Sequence, residues 1–162
     1  MLDKQIGFKS VNFTSDQTCI ITNTTNSQQN FTFDEIYPPQ TNQEIIFEKS
    51  ALPLVSDILK GYNGTIFTYG QSGSGKTFTM YGGDIIDETT KGIIPRAIAH
   101  IFDFINSEEN KEIKFELKFS MLEIYQEHLH DLLNPDTKPN ELKIKEHQKK
   151  GIYVENLSEI YI

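Results

Sequence analysis

The most informative feature of this sequence is a glycine-rich segment near its middle. Gly70-Gln-Ser-Gly-Ser-Gly-Lys-Thr77 matches the pattern G-x-x-x-x-G-K-[ST]. Glycines let a backbone wrap a polyphosphate without Cβ clashes, so that successive N–H groups form an anion nest. In such a loop, Lys76 reaches the β- and γ-phosphates, the Thr77 hydroxyl ligates Mg²⁺, and the following helix adds its positive dipole end. The alternative is a glycine-rich turn that matches by chance.

The flanking sequence favours the phosphate-binding interpretation. Gly64-Thr-Ile-Phe-Thr-Tyr69 is a β-branched and aromatic run that predicts a buried strand. Lys76-Thr-Phe-Thr-Met80 then predicts a short helix, which Gly82-Gly83 ends. A strand, a loop and a helix in this order are the context that the pattern requires. We therefore expect a nucleoside triphosphate with Mg²⁺ to bind at Gly70, Gln71, Ser72, Gly73, Ser74, Gly75, Lys76 and Thr77.

The chain before this loop predicts a small antiparallel lobe followed by a helix. Cys19-Ile-Ile21 and Phe31-Thr-Phe33 flank a polar loop and read as short strands joined by a turn. Thr41-Asn-Gln-Glu44 has a capping-box pattern, which predicts the start of a helix. Pro53 removes a backbone donor and should kink this helix, and Gly61 is a natural end for it.

The chain after the loop alternates between helical and strand patterns. An apolar stripe predicts a helix from about Pro95 to Asn106. Uninterrupted period-two alternation predicts a strand over Glu112–Met121 with one buried face. A short helix is predicted at Glu127–Leu133, and two further strands are predicted at Leu142-Lys-Ile-Lys145 and Ile152-Tyr-Val154. This order of elements indicates the α/β class.

Charge and cysteine content narrow the function classes. The net charge of −8 argues against non-specific binding of nucleic acid or anionic membrane by the whole surface. No run of about 18 apolar residues exists, so no membrane span is predicted. Cys19 has no partner for a disulfide or a zinc site, and the N-terminus does not match a secretory signal. A reducing compartment, the cytoplasm, fits these features best.

Three segments resemble a known family. Gly61–Met80 closely resembles the phosphate-loop region of kinesin motors. Gly92-Ile-Ile-Pro-Arg96 resembles the next kinesin motif, and Leu122-Glu-Ile-Tyr-Gln-Glu127 followed by Asp131-Leu-Leu133 resembles a third. Three motifs in the right order are far more specific than one phosphate loop, and the match runs from about Ser10 to Ile162.

The resemblance implies a fold, an activity and a partner. It implies a partial P-loop NTPase motor domain over residues 1–162, with a central mixed sheet flanked by helices and the small N-terminal lobe. Kinesins hydrolyse ATP on microtubules, so the cytoskeleton is the implied location and Phe78 is expected beside the adenine. The segment after the third motif is expected to face acidic tubulin. The residues implied there are His128, Lys143, Lys145, Lys149 and Lys150; a solvated lysine-rich hairpin is the alternative.

Some parts of the family pattern are not matched. Kinesins have an Arg-x-Arg-Pro motif on their first strand, which Met1–Phe8 does not show, and two switch motifs that the family places after the matched region. No catalytic residue is identifiable here, because Asp34, Asp103 and Asp131 are expected to be surface or capping residues. We therefore expect near-zero ATPase activity from these 162 residues alone. We also expect an unpaired strand at Gly64–Tyr69, which would leave them poorly folded, aggregation-prone or dependent on a partner. A nucleotide- or tubulin-binding module without ATPase activity is the alternative function.

Overall fold

The computed structural model describes residues 8–148 and 151–162. They divide into two compact units, Met1–Ser107 and Glu108–Ile162. Helices and strands are both present, so the predicted α/β class is confirmed. In the described part of the chain, no helix combines the length and the apolar character that a membrane crossing needs.

The first unit opens with a three-stranded antiparallel sheet. Strands β1 (Phe8–Phe13), β2 (Thr18–Asn23) and β3 (Gln28–Thr32) lie in that order. Cys19 on the central strand β2 is buried and lies opposite Phe13 and Phe31. A central strand with a buried position is a common setting for a free thiol, which packs as a small apolar group. The predicted antiparallel lobe is therefore confirmed.

A helical segment that is interrupted once follows this sheet. It consists of α1 (Gln43–Ile46), a π-helical turn (Phe47–Ala51) and α2 (Leu52–Leu59). Pro53 lies in the first turn of α2, where its missing N–H is tolerated, and the wider π-helical turn directly precedes it. The expected irregularity at Pro53 is thus present, and Gly61 has a φ of +98° just beyond the helix end.

The predicted capping box at Thr41–Glu44 is wrong. Helix α1 begins at Gln43, and the residue before it, Asn42, makes no side-chain capping hydrogen bond. The Thr41 N–H donates to the carbonyl of Pro38 at 2.9 Å, which places Thr41 in the preceding turn. The four-residue pattern is present in the sequence, but Thr41 belongs to the preceding turn, so the helix starts one residue later than expected.

A buried cluster in the first unit holds both ends of the glycine-rich loop. Its centre is Phe47, Ala51 and Ile93, the last being the first residue of α4 (Ile93–Ile105). Partly buried apolar side chains pack around this centre: Ile46, Leu52, Ile66, Met80 and Ala97. Ile66 precedes the loop, and Met80 ends α3 (Lys76–Met80), the helix that follows it. The core therefore fixes the chain on each side of the loop.

The strand predicted at Gly64–Tyr69 is not formed. This segment has no ladder partner among the described residues, and Phe67 and Tyr69 are 81% and 95% exposed. The composition of the run was that of a strand, but strand formation also requires a neighbour that satisfies the backbone N–H and C=O groups. The unpaired backbone that the sequence led us to expect here is present.

The described residues of the second unit form three antiparallel strand pairs. Strand β4 (Lys118–Phe119) pairs with β9 (Ile160–Tyr161), and β5 (Leu122–Tyr125) pairs with β6 (His128–Asp131). The long strand predicted at Glu112–Met121 is therefore wrong in extent, because only two of its residues belong to a strand. Alternation identifies which face of a strand is apolar, whereas the length of a strand is set by its partner.

The helix predicted at Glu127–Leu133 is also wrong. Its residues His128–Asp131 form β6. This strand follows a tight turn in which Gln126 and Glu127 have φ values of +48° and +65°. Positive φ at both central residues matches a two-residue hairpin turn, for which Asn-Gly or Asp-Gly is the usual sequence. Because Gln-Glu gives no such signal, the short apolar run was ambiguous between helix and strand.

The two strands predicted near the end of the chain are confirmed. Strand β7 (Lys143–His147) pairs antiparallel with β8 (Gly151–Glu155). Leu142, directly before β7, is buried. Short 3-10 segments at Glu108–Asn110 and Pro139–Glu141 complete the second unit.

Candidate functional site

The glycine-rich loop has the backbone conformation that its sequence predicts. Gly73 and Gly75 have φ values of +78° and +92°, in the left-handed region that favours glycine. An added Cβ at either position would meet no atom within 4 Å. The requirement for glycine at these two positions is therefore conformational rather than steric. The Ser74 N–H donates to the carbonyl of Gln71 at 3.2 Å, which closes a tight turn inside the loop.

Lys76 folds back over this loop. Its Nζ donates to the carbonyl oxygens of Gly70 at 2.8 Å and Gln71 at 2.7 Å. An ammonium group has three N–H donors, so these contacts leave one for an anion above the loop. The loop thus holds a positive charge beside its own N–H groups, an arrangement that fits a phosphate group.

The two residues after Lys76 are accessible. Thr77 and Phe78 are exposed, and Phe78 has 52% of its surface accessible. The described residues contain no group of three or more His, Cys, Asp or Glu side chains that could hold a metal ion. The exposed Thr77 hydroxyl is the candidate Mg²⁺ ligand in this loop, because Mg²⁺ prefers hard oxygen ligands.

Helix α3 is held at its C-terminal end by other parts of the first unit. It has only five residues, so its last carbonyl groups lack donors within the helix. The Gln43 Nε2 donates to the carbonyl of Phe78 at 2.6 Å, and the Gly92 N–H donates to the carbonyl of Tyr81 at 2.9 Å. The sequence did not identify Gln43 as a contact of α3. One sequence signal pointed to its burial: Gln43 lies four residues before the core residue Phe47, which places both on the same face of the helical segment.

Gly82 and Gly92 allow the chain to pass close to the end of α3. A Cβ on Gly92 would lie 2.6 Å from the backbone of Met80, and a Cβ on Gly82 would lie 2.2 Å from the carbonyl of Thr90. Gly82 also has a φ of +97°. The glycine of the Gly92–Arg96 motif is thus explained by backbone packing against the phosphate-loop helix.

Arg96 from the same motif holds the intervening loop. Its Nε donates to the carbonyl of Lys91 at 3.2 Å, and its guanidinium also donates to the carbonyl of Glu88. Asp87 in this loop accepts hydrogen bonds from the Thr89 N–H and hydroxyl, and these bonds lower the pKa of its carboxyl group. The segment between α3 and α4 is therefore ordered by its own polar contacts.

Three of the residues expected to face tubulin lie on two hairpins of the second unit. His128 is exposed at the start of β6, and Lys143 and Lys145 are exposed on β7. Lys145 donates to Glu155 at 2.5 Å, and this hydrogen bond raises the pKa of Lys145. Glu155 therefore offsets part of the positive charge of this hairpin. Lys149 and Lys150 lie outside the described residues.

Asp131 is a capping residue, which is one of the two settings expected for it from the sequence, and it is only 3% exposed. Its carboxylate accepts hydrogen bonds from the N–H groups of Leu133, Asn134 and Ser158. Burial raises the pKa of Asp131, but the hydrogen bonds from Ser158, Leu133 and Asn134 outweigh it, so the pKa lies below its ordinary value. Asp34 and Asp103 are exposed, as expected.

Comparison with known proteins decides the family. The model of the kinesin motor domain matches residues 3–162. The chain belongs to the kinesin motor family. A kinesin heavy chain from Syncephalastrum racemosum is 49% identical over 133 residues, which cover 82% of this chain and 14% of that protein. Kinesin-related protein 3 from Dictyostelium discoideum is 42% identical over 161 residues, covering 98% of this chain and 13% of that protein.

A solved kinesin structure confirms the fold. That structure, of a fast kinesin, was described with implications for ATPase mechanism and interactions with microtubules. It has a TM-score of 0.85 and 40% identity to this chain, and the match covers 94% of this chain and 42% of the other. The present chain thus spans less than half of that kinesin structure and a smaller share of the two related kinesins.

Proposed function

We propose that this chain provides the ATP- and Mg²⁺-binding part of a kinesin-type microtubule motor, in which ATP hydrolysis drives movement along microtubules. The observation that carries the proposal is the loop from Gly70 to Thr77, whose left-handed glycines and inward-folded Lys76 match the needs of a triphosphate. The family membership supports the same conclusion. When bound, ATP supplies the bond whose hydrolysis is coupled to movement.

The residues of the loop and of the helix after it divide the work of binding the nucleotide. The backbone N–H groups from Ser72 to Thr77 bind phosphate oxygens, and the Lys76 ammonium neutralises their charge. The Thr77 hydroxyl ligates Mg²⁺, and Phe78 lies beside the adenine. Gly70, Gln71, Gly73, Ser74 and Gly75 shape the loop that presents these groups.

The proposed partner is tubulin, and the proposed location is the cytoplasmic cytoskeleton. His128, Lys143 and Lys145 are exposed on hairpins of the second unit, and Lys149 and Lys150 follow in the sequence. Because Glu155 pairs with Lys145, Lys143 is the stronger candidate for attracting an acidic surface. Attraction of this kind weakens as salt is added.

Equilibrium titration of fluorescently labelled ATP with magnesium tests the proposal. The protein should be used at its full natural length, with Lys76→Ala and the control Lys60→Ala. Lys60 is an exposed lysine paired with Asp57. We expect saturable binding that Lys76→Ala weakens by about tenfold or more, since a charge-assisted hydrogen bond contributes about 1.5–3 kcal/mol. Equal binding by the Lys76 and Lys60 variants would contradict the assignment of the site.

A binding module without ATPase activity is the second candidate. The observation behind it is the exposure of Lys143 and Lys145 on β7, where they can attract an acidic partner whether or not ATP is hydrolysed. Co-sedimentation with microtubules separates the two candidates. ATP-dependent release supports the motor, whereas binding that ATP does not change and salt weakens supports the module.

A further inference from the structure

Gln43 makes an unusual contact between α1 and the helix that follows the phosphate loop. The residue is only 5% exposed, and its Nε2 donates to the carbonyl of Phe78 at 2.6 Å. Phe78 is the second residue after Lys76, in the middle of α3. A side chain from another helix therefore bonds the main chain immediately beside the phosphate-binding residues.

The short length of α3 explains why Phe78 needs this donor. In a longer helix, the N–H four residues later, that of Gly82, would bond the carbonyl of Phe78. Here the Gly82 N–H points to the carbonyl of Thr77 at 3.4 Å instead, because the helix has already ended. The amide of Gln43 replaces the missing helical donor.

The chemistry of the contact fixes how the amide is oriented. A carbonyl oxygen only accepts hydrogen bonds, so the nitrogen of Gln43 must face Phe78. The other end of the amide, Oε1, is buried and has no hydrogen-bond partner among the described residues. An apolar side chain of similar size would avoid this unpaired oxygen. What a glutamine contributes here is therefore the bond to Phe78.

The segment that carries Gln43 packs into the buried cluster. Gln43 begins α1, and Phe47, four residues later, is part of the buried cluster with Ala51 and Ile93. The same cluster contacts Met80 at the end of α3. The amide thus ties the phosphate-loop helix to the best-packed part of the first unit.

We propose that Gln43 is a positioning residue for the nucleotide site, acting through the carbonyl of Phe78 to hold Lys76, Thr77 and Phe78 in place. This inference rests on the proposed ATP-binding function. In this role, Gln43 acts through the main chain of α3 and sets the orientation of the helix that presents the nucleotide and metal ligands. Replacing Gln43 with an apolar side chain of similar volume should lower nucleotide affinity more than it lowers the stability of the fold.

The test compares Gln43→Leu, Gln43→Glu and the control Gln40→Leu, which changes an exposed glutamine. Labelled ATP with magnesium is titrated into the protein at its full natural length, at about pH 6 and about pH 8, with each result divided by the wild-type value at that pH. We expect Gln43→Leu to weaken binding on the order of fivefold at both pH values. Gln43→Glu should bind almost normally near pH 6, because a buried carboxyl facing a carbonyl stays protonated and donates, and should weaken as pH rises.

Hydrogen exchange of the nucleotide-free protein gives an independent measurement. Gln43→Leu should speed exchange in residues 76–82, whereas Gln40→Leu should not. If wild type binds ATP but neither Gln43 variant differs from it, the inference is overturned and the proposed function stands. If wild type does not bind ATP, the proposed function fails and the nucleotide role of Gln43 fails with it, while exchange still shows whether the bond orders α3. If Gln43 acted only by filling space in the core, Gln43→Glu would show no rescue at low pH.

Discussion

Gly75 provides a sharp test of the phosphate loop, because its substitution introduces strain without a clash. It has a φ of +92° directly before α3, and an added Cβ would meet no atom within 4 Å. Holding a non-glycine residue in the left-handed region costs about 1–2 kcal/mol. Since no steric term adds to this, backbone strain is the whole expected cost of Gly75→Ala.

The strain should appear as a loss of nucleotide affinity. If the loop relaxes to relieve it, ATP must restore the bound conformation, and the affinity falls by about 5- to 30-fold. Isothermal titration of magnesium ATP measures this directly. Gly75→Asn should lose less, because asparagine adopts left-handed backbone angles more readily.

Gly151 is a matched control in the second unit. It has a φ of +72°, and its added Cβ also meets nothing within 4 Å. Gly151→Ala should therefore lower stability by a similar amount and leave ATP affinity unchanged. The reasoning is refuted if Gly75→Ala binds ATP as wild type does, or if both alanine variants lose affinity equally.

Three further substitutions test the packing and the electrostatics. Asp131→Asn should lower the melting temperature of the protein, measured by calorimetry, and should make that temperature depend less on acid pH. The pKa of Asp131 in the folded protein is lowered from 3.8, so the carboxylate stabilises the fold above that pH and loses this effect as pH falls through the folded pKa. An unchanged acid transition in this variant would argue against the buried carboxylate. Phe47→Ala removes a core side chain and should cost about 3–5 kcal/mol of unfolding free energy in urea, so a loss below about 1 kcal/mol would show that the cluster is not the core. Glu127→Gly should raise the unfolding free energy by about 1 kcal/mol, because it relieves a φ of +65°, and no gain would mean that the turn differs from the one described.

The conformation of the glycine-rich loop could be predicted from the sequence because it depends on glycine at fixed spacing. Glycine at positions 73 and 75 is required by left-handed backbone angles, which are a local property. The antiparallel strands β2 and β3 and the β7–β8 pair were also predictable, since each joins neighbouring segments. Local sequence patterns are sufficient to predict a strand when its pairing partner is the next segment along the chain.

Contacts between distant segments were not predictable in the same way. Gln43 and Phe78 are 35 positions apart, and nothing in the pattern around Gln43 points to a carbonyl on α3. The strand predicted at Gly64–Tyr69 is not formed, and the one predicted at Glu112–Met121 is reduced to Lys118–Phe119, because alternation and β-branching do not supply a ladder partner. The hairpin at Gln126 and Glu127 was missed because its turn uses residues that rarely adopt positive φ.

Hydrogen exchange of the phosphate loop is the most direct test of the central claim, which is that main-chain amides from Ser72 to Thr77 bind a triphosphate. The protein at its full natural length is exchanged with and without magnesium ATP, and peptides covering residues 69–80 are followed by mass spectrometry. The account predicts that ATP slows exchange in these peptides, and that Lys76→Ala reduces the protection. Exchange in the loop that is the same with and without saturating magnesium ATP would contradict it.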